Sequence, residues 1–163
     1  MTTIAWRIVP LEFSEPPFDP FDGEGARLYG GRWNSVGNSI VYTSATRSLA
    51  ILEKLVHAEG KLASLLDCAA FPVIIPNECI RTFPRASLAT DWNLPGSSNA
   101  RQFGDAWVRK NESPVLKVPS AVVTEEENYL LNPLHPDFSR LKLGERQTLP
   151  IDSRLLIPRK PII

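Results

Sequence analysis

Apolar residues recur in short runs along the chain, and these runs predict β-strands. Val, Ile, Tyr and Phe are common in them, and such side chains favour the pleated surface of a sheet. The strand pattern occurs at residues 3–9, 39–43, 71–75, 79–83, 115–118, 121–124, 128–131 and, weakly, 141–149. The short strands late in the chain predict an antiparallel sheet that closes over the earlier one.

A helical period of three and four residues follows the second of these strands. Its apolar stripe consists of Ala45, Leu49, Leu52 and Val56. Ser44 or Thr46 can cap this helix, and Gly60 is a natural stop after it. We expect the stripe to face the rest of the domain, with Glu53 on its flank.

A second helix is predicted from a cap at Ser97 or Ser98 to Lys110. Gly104 lies within this helix, although glycine has a low helix propensity. The predicted inner side comprises Phe103, Ala106 and Trp107. Shorter helical turns are expected after residue 61 and at residues 87–92.

Two segments without either period are predicted to be loops. Residues 10–25 combine prolines with phenylalanines, so this loop packs by its aromatic rings, either as a lid or as an irregular wrap over the sheet. Residues 30–38, which carry Arg32, form a glycine-punctuated loop or a very short strand. The strand after it directs Tyr42 to the face opposite Val41.

Length and charge narrow the class of protein. The 163 residues contain 18 Lys plus Arg and 18 Asp plus Glu, so net charge does not favour direct binding of nucleic acid. The length fits one domain over residues 1–163, with 155–163 as a loosely held tail. No run approaches the roughly 20 apolar residues that span a bilayer, and no signal-peptide pattern is present, so we expect a cytoplasmic protein without a membrane partner.

Cysteine, histidine and proline usage refines this expectation. Cys68 and Cys79 lie in apolar segments, which indicates reduced, buried thiols. His57 and His135 have no metal-ligand spacing with them, so no metal is expected. The 15 prolines are scattered, which favours many short elements and an α+β fold over a helical bundle.

Two charged side chains in apolar settings are candidates for chemistry. Arg7 is the one charged residue of the first strand, so it either pairs with an acidic side chain or receives an anionic ligand. Glu53, half turned towards the core, could be a tuned carboxylate or only a paired glutamate on an amphipathic helix.

Two sequence blocks resemble a known family. GGRWNSVGNSIVYTSATRSLAILEKLVH and LKVPSAVVTEEENYLLNPLHPDF are similar to the RES domain, named for an arginine, a glutamate and a serine. That family comprises bacterial toxins paired with an Xre-type antitoxin. The resemblance covers residues 6–138. It implies an ADP-ribosyltransferase-like fold, with split antiparallel β-sheets flanked by short helices, and an activity that consumes NAD.

The resemblance also implies roles for individual residues. Glu53 would be the catalytic carboxylate, Arg32 the holder of substrate anions, and Tyr42 the ring that stacks on nicotinamide. Arg7 would be a second holder. The family's serine corresponds to Ser120, where a Pro-Ser break in a strand exposes a hydroxyl for ribose or neighbouring groups; local backbone hydrogen bonds are the alternative.

Three further features have less specific patterns. Asn132 is a weaker candidate for substrate binding, and its position before a proline favours a turn residue. Glu125 and Glu127 have the E-x-E spacing of some arginine-directed ADP-ribosyltransferases, yet they lie in a polar turn that favours a solvated loop. Glu53 and His57 are spaced i, i+4, so His57 could be a base or a simple helix contact.

Three functions remain open from the sequence. The first is a toxin that cleaves NAD and transfers ADP-ribose to a protein target. The second is an NAD glycohydrolase or phosphorylase that transfers it to water or phosphate. The third is a non-catalytic binding module on the same fold. The presence of Glu53, Arg32 and Tyr42 favours the first two, and the family implies an Xre-type antitoxin as partner.

Overall fold

Eight strands pair edge to edge in the computed structural model, which describes residues 1–59 and 61–155. The strands are β1 (Thr2–Pro10), β2 (Val41–Ser44), β3 (Cys68–Pro76), β4 (Ile80–Thr82), β5 (Val115–Pro119), β6 (Glu127–Leu131), β7 (Lys142–Leu143) and β8 (Gln147–Thr148). Their order is β4-β5-β6-β2-β1-β3-β7, and β8 also pairs with β3. Only the β4–β5 pair is parallel among these described strands.

The sheet has a narrow junction between β1 and β2. These strands share one register pair, Trp6 with Ser44. In contrast, β1 pairs with β3 along its whole length, from Thr2 to Pro10, and β2 pairs with β6 along its whole length. The sheet therefore consists of two halves that separate beside this contact, and the α+β class expected from the sequence is confirmed.

Three α-helices are present in the described residues: α1 (Glu24–Tyr29), α2 (Arg47–His57) and α3 (Asn99–Lys110). Of the two possible caps for α2, Thr46 is the one used, because its side-chain oxygen accepts a hydrogen bond from the Leu49 amide at 3.0 Å. The predicted stop at Gly60 lies outside the described residues. The sequence pattern did not predict α1, a helix of only six residues.

The predicted apolar stripe of α2 is wrong. Leu49 is buried, but Leu52 and Val56 are 41% and 58% exposed. Ala45 precedes the helix cap, so its direction is not set by the helical period. The buried face instead contains Leu49 and Ala50. Because Glu53 is one turn beyond both, it lies in line with this face rather than on its flank.

The two faces of the sheet have separate cores. Val41 belongs to a core cluster with residues of β1, β3 and β6, whereas Tyr42 packs against a second cluster on the opposite face, as predicted. The second cluster contains Trp33, Ile40, Trp92, Ala100, Trp107, Leu116, Val118 and Leu130. Helix α3 packs there through Ala100, Gly104 and Trp107. Of the predicted inner side, Phe103 packs against this cluster and Trp107 belongs to it.

The later part of the chain departs from the predicted strands. Residues 121–124 form bends and a turn, because the Ser120 hydroxyl accepts hydrogen bonds from the Val122 and Val123 amides, both at 3.0 Å. The weak pattern at 141–149 corresponds to the short strands β7 and β8. Within the predicted tail, Leu155 ends a 3-10 turn, and residues 156–163 lie outside the described part of the chain.

Other predictions concern the aromatic loop, the cysteines and the membrane. In the segment 10–25, Phe21 is buried against Phe71, whereas Phe13 and Phe18 are partly exposed and contact each other.

Cys68 and Cys79 are free and buried, as predicted. None of the helices in the described residues is long and apolar enough to cross a membrane.

The corrected face of α2 gives a test by two matched substitutions. We expect Leu49→Ala to lower the free energy of unfolding by about 2–5 kcal/mol, because it leaves a cavity under the helix. Leu52→Ala, at an exposed position of the same helix, should lower it by less than about 1 kcal/mol. Urea denaturation of both variants measures the difference. Equal losses would contradict the observed face and restore the predicted stripe.

Candidate active site

The carboxylate of Glu53 is held from two directions by polar side chains. Its Oε1 accepts a hydrogen bond from the Ser120 hydroxyl at 2.8 Å and another from Asn128 Nδ2 at 2.5 Å. Among the described residues, Oε2 has no hydrogen-bond partner. One oxygen of Glu53 is therefore fixed by the protein, and the other remains available to a ligand.

Ser120 owes its position to the end of β5. Pro119 is the last residue of β5, and the chain turns sharply after it. The Ser120 oxygen accepts the Val122 and Val123 amide hydrogens, so both of its lone pairs are occupied. Its one O–H must then point to Glu53. The sequence predicted an exposed hydroxyl, but Ser120 is fully buried.

Asn128 is a site residue that the sequence analysis missed. It lies on β6 between Ser44 of β2 and Val118 of β5, and its side chain is buried. Its Oδ1 is buried without a hydrogen-bond partner, so Nδ2 is the atom directed at Glu53. The reverse orientation would place two acceptor oxygens against each other. The available signal was an amide side chain in an otherwise apolar strand.

Tyr42 lies on the same face of the sheet as Asn128. Ser44, two residues after Tyr42 on β2, is the residue that pairs with Asn128. Side chains two residues apart in a strand share a face, and so do paired residues of neighbouring strands. Its hydroxyl accepts a hydrogen bond from the Trp33 amide at 3.0 Å and donates one to Asn34 Oδ1 at 2.7 Å.

Burial raises the pKa of the Tyr42 hydroxyl well above its ordinary value, so this donor stays protonated. Tyr42 thus holds the loop of residues 30–38. This contact comes in addition to any stacking role of its ring.

Arg32 extends from that loop to the segment before α3. Its Nη1 donates hydrogen bonds to the carbonyl oxygens of Trp92, at 2.7 Å, and Leu94, at 3.3 Å. Its Nε and Nη2 make no hydrogen bond with a described residue. Because these two nitrogens form one side of the planar guanidinium, they are suited to bidentate pairing with an oxyanion.

Arg7 lies on the other face of the sheet. Side chains alternate along β1, and its neighbour Trp6 pairs with Ser44 on the Asn128 face. Arg7 Nη1 donates to the Tyr42 carbonyl at 3.2 Å, which is where β1 and β2 separate. Its Nε is buried without a partner.

Burial lowers the pKa of Arg7 to about 10, against the opposing charges of Asp22 and Asp19. It therefore remains a cation at neutral pH, in a setting that suits an anionic partner.

The remaining candidates make no hydrogen bond to Glu53 in the described part of the chain. Asn132 is at the far end of β6, where its side chain donates to Asn111 Oδ1 and accepts from the Leu134 amide. This is the turn arrangement that the sequence allowed. His57 is exposed at the end of α2, and Glu125 is exposed in the turn before β6. His57 nevertheless lies one helical turn after Glu53 on α2.

Surface cavities lie near the loop of residues 30–38 and near the end of α2. One of about 290 Å³ is lined by Tyr29, Gly30, Gly31, Asn34, Ser35, Val36 and Arg101. The other, of about 620 Å³, lies between the end of β1 and the end of α2, where His57 and Lys54 line it. Glu53 lines neither cavity. The described residues also contain no group of three or more His, Cys, Asp or Glu side chains placed to hold a metal ion.

Comparison with known sequences gives one family for nearly the whole chain. A sequence model described as the RES domain matches residues 4–152. The chain is 39% identical over 159 residues to "Toxin Res" of Photorhabdus laumondii, covering 96% of this chain and 99% of that protein. It is 36% identical over 164 residues to "Prs ADP-ribosylating toxin" of a Sphingobium species, covering 96% and 98%.

A solved structure has the same fold. The chain aligns with the crystal structure of the M. tuberculosis MbcT-MbcA toxin-antitoxin complex at a TM-score of 0.67 and 18% sequence identity. The alignment covers 91% of this chain and 85% of that one. The overall fold described above is therefore shared with a solved structure of low sequence identity.

The role of Tyr42 in holding the loop predicts a specific loss on removal of its hydroxyl. Tyr42→Phe keeps the ring but leaves the Trp33 amide and Asn34 Oδ1 without their partner. We expect the free energy of unfolding to fall by about 1–3 kcal/mol, measured by urea denaturation. Tyr29→Phe is a matched control, because Tyr29 is 84% exposed. Equal stability of Tyr42→Phe and the wild type would show that the hydroxyl holds nothing.

Proposed function

We propose, because this chain belongs to the RES domain family, that it is the toxin of a bacterial toxin-antitoxin system and an enzyme that consumes NAD. The names of its relatives and of its structural neighbour support a toxin. The observation that carries the chemistry is the Glu53 carboxylate, which has one oxygen fixed by Ser120 and Asn128 and the other unpartnered among the described residues.

Cleavage of the bond between nicotinamide and ribose develops positive charge on the ribose ring. Nicotinamide leaves with the electron pair of that bond, so an oxocarbenium-like ribose remains. A carboxylate held in place beforehand stabilises this charge without reorganising. In our proposal Oε2 of Glu53 faces the ribose, and Ser120 and Asn128 prevent the carboxylate from rotating away.

The arginines and the tyrosine supply binding. Arg32 would pair with the pyrophosphate through Nε and Nη2, since only its Nη1 is used by the Trp92 and Leu94 carbonyls among the described residues. The Tyr42 ring would stack on nicotinamide while its hydroxyl holds the loop. Arg7 would act as a second anion holder, and Asn132 remains the weakest of the proposed substrate contacts.

The acceptor of ADP-ribose is proposed to be a protein. In this reaction a nucleophilic side chain of the target forms a bond to the ribose carbon, and its proton passes to a base in the site or to water. The name of the Sphingobium relative favours this acceptor. Water or phosphate as acceptor would make the enzyme a glycohydrolase or phosphorylase with the same first step. No metal takes part in the proposed reaction, and the proposed partner is an Xre-type antitoxin.

Substitution of Glu53 tests the proposed chemistry directly. Glu53→Gln keeps an oxygen that can accept from Ser120 and Asn128 but removes the charge, so we expect an intact fold and a loss of NAD cleavage of on the order of 10²-fold or more. Chromatographic measurement of nicotinamide release gives the rate.

The matched control for this test is Glu125→Gln, which removes an exposed carboxylate of the E-x-E segment and should cleave NAD like the wild type. Wild-type turnover by Glu53→Gln would overturn the catalytic assignment. Loss of turnover in Glu125→Gln instead would move the catalytic site to the turn before β6.

Expression without a partner tests the toxin assignment. We expect induced wild-type protein to arrest bacterial growth, and Glu53→Gln expressed at the same level to leave growth unchanged, because only the former carries the charge-stabilising carboxylate. Cellular NAD measured alongside separates the acceptors. Arrest with NAD retained favours transfer to a protein, whereas arrest with NAD depleted favours water or phosphate. Normal growth with unchanged NAD would revive the binding-module function.

A further inference from the structure

Three residues on one face of α3 contact the loop of residues 30–38, and nothing in the reaction above uses them. They are Arg101, Gly104 and Asp105, spaced i, i+3 and i+4, so they share one side of the helix. The loop they touch carries Arg32, which is the proposed pyrophosphate holder. Their contacts differ in kind, and together they fix the loop at its beginning, middle and end.

Asp105 makes the strongest of these contacts. Its Oδ1 accepts hydrogen bonds from the Ser35 amide at 2.8 Å and from Asn38 Nδ2 at 2.7 Å, and its Oδ2 accepts from the Ser35 hydroxyl at 2.6 Å. Burial alone raises the pKa of Asp105, but these hydrogen bonds and the charge of Arg109 outweigh it and hold the pKa below its ordinary value. The carboxylate is therefore ionised at neutral pH, and its hydrogen bonds are charge-assisted.

Gly104 makes the closest of these contacts. A Cβ added at this position would lie 1.8 Å from the carbonyl oxygen of Trp33, so only glycine lets the helix backbone touch the loop. This explains a glycine within a helix, where it is otherwise unfavourable. At the start of the loop, Arg101 Nε donates to the Gly31 carbonyl at 3.3 Å.

The loop also has an apolar anchor. Trp33 is buried in the core cluster with Trp92 and Trp107, which places the loop against the sheet. An indole ring in a core does not set the direction of the backbone on either side of it. The polar contacts of α3 do so, because they bind the backbone or short side chains at Gly31 and Ser35, on both sides of Arg32 and Trp33.

We propose that the face of α3 formed by Arg101, Gly104 and Asp105 is a positioning element for NAD binding, with Asp105 as the residue that holds the loop so that Arg32 presents its guanidinium to the substrate. The link to NAD rests on the proposed function, whereas the hold on the loop does not. Asp105 is a positioning residue and contacts no reacting atom.

Two variants test this proposal, each with a matched control. Asp105→Asn removes the charge that receives the Ser35 and Asn38 hydrogen bonds, and its control is Asp137→Asn, a change at an exposed carboxylate. Gly104→Ala forces a methyl group against Trp33, and its control is Gly25→Ala, where an added Cβ would meet nothing within 4 Å.

We expect amide hydrogen exchange in the peptide covering residues 30–38 to become about tenfold faster in Asp105→Asn, which corresponds to the loss of one charged hydrogen bond. The KM for NAD should rise by about tenfold, while kcat stays within about twofold of the wild type, since Arg32 binds substrate and Glu53 does the chemistry. Both controls should behave like the wild type. Gly104→Ala should also raise the KM, although alanine favours a helix.

Unchanged exchange of the loop in both variants would overturn the proposal. So would a fall in kcat with an unchanged KM, because Asp105 would then act on the chemistry itself. A Gly104→Ala variant with a higher Tm and the wild-type KM would show that the glycine serves no positioning role. If the wild type does not cleave NAD, the proposed function fails, and the exchange measurement alone decides whether α3 holds the loop.

Discussion

The two halves of the sheet share a single register pair, Trp6 with Ser44. Side chains that pack across this junction must therefore hold the halves together. The core cluster that joins Val41 to residues of β1, β3 and β6 is one such connection. Helix α2 is another. Ile51 packs, as Trp6 and Ile8 do, against the buried cluster of Cys68, Ala70 and Leu149 in one half. Glu53 receives hydrogen bonds from the end of β5 and from β6 in the other. The proposed catalytic carboxylate is therefore also a contact that joins the two halves.

This double role explains the unusual setting of Glu53. A half-buried carboxylate needs hydrogen-bond donors, and Ser120 and Asn128 provide them without providing a positive charge. Both donors bind the same oxygen, which leaves the second oxygen unpaired among the described residues. A salt bridge in place of these two donors would partly neutralise the carboxylate. Its attraction to positive charge on a substrate would then be weaker. In the proposed reaction, this arrangement holds the carboxylate in position for the ribose.

The loop of residues 30–38, which carries Arg32, is held in place by a different set of contacts. The Tyr42 hydroxyl and the Asp105 carboxylate bind its backbone and side chains, and Trp33 anchors it in a core of aromatic rings. These contacts come from β2 and α3, which are far apart in sequence. The fold itself recurs at 18% sequence identity in the MbcT-MbcA complex.

The sequence by itself determined most of the strands and the two longer helices. Strand alternation placed Val41 and Tyr42 on opposite faces, and cap chemistry placed a helix start at Ser44 or Thr46, because both depend on neighbouring residues. The sequence also singled out Glu53 and Ser120, through their resemblance to the family. Only the tertiary structure decided that Glu53 faces inward and that Asn128 joins it. Such contacts link residues up to 75 positions apart, and no local period encodes which side of a helix will meet a strand formed so much later in the chain.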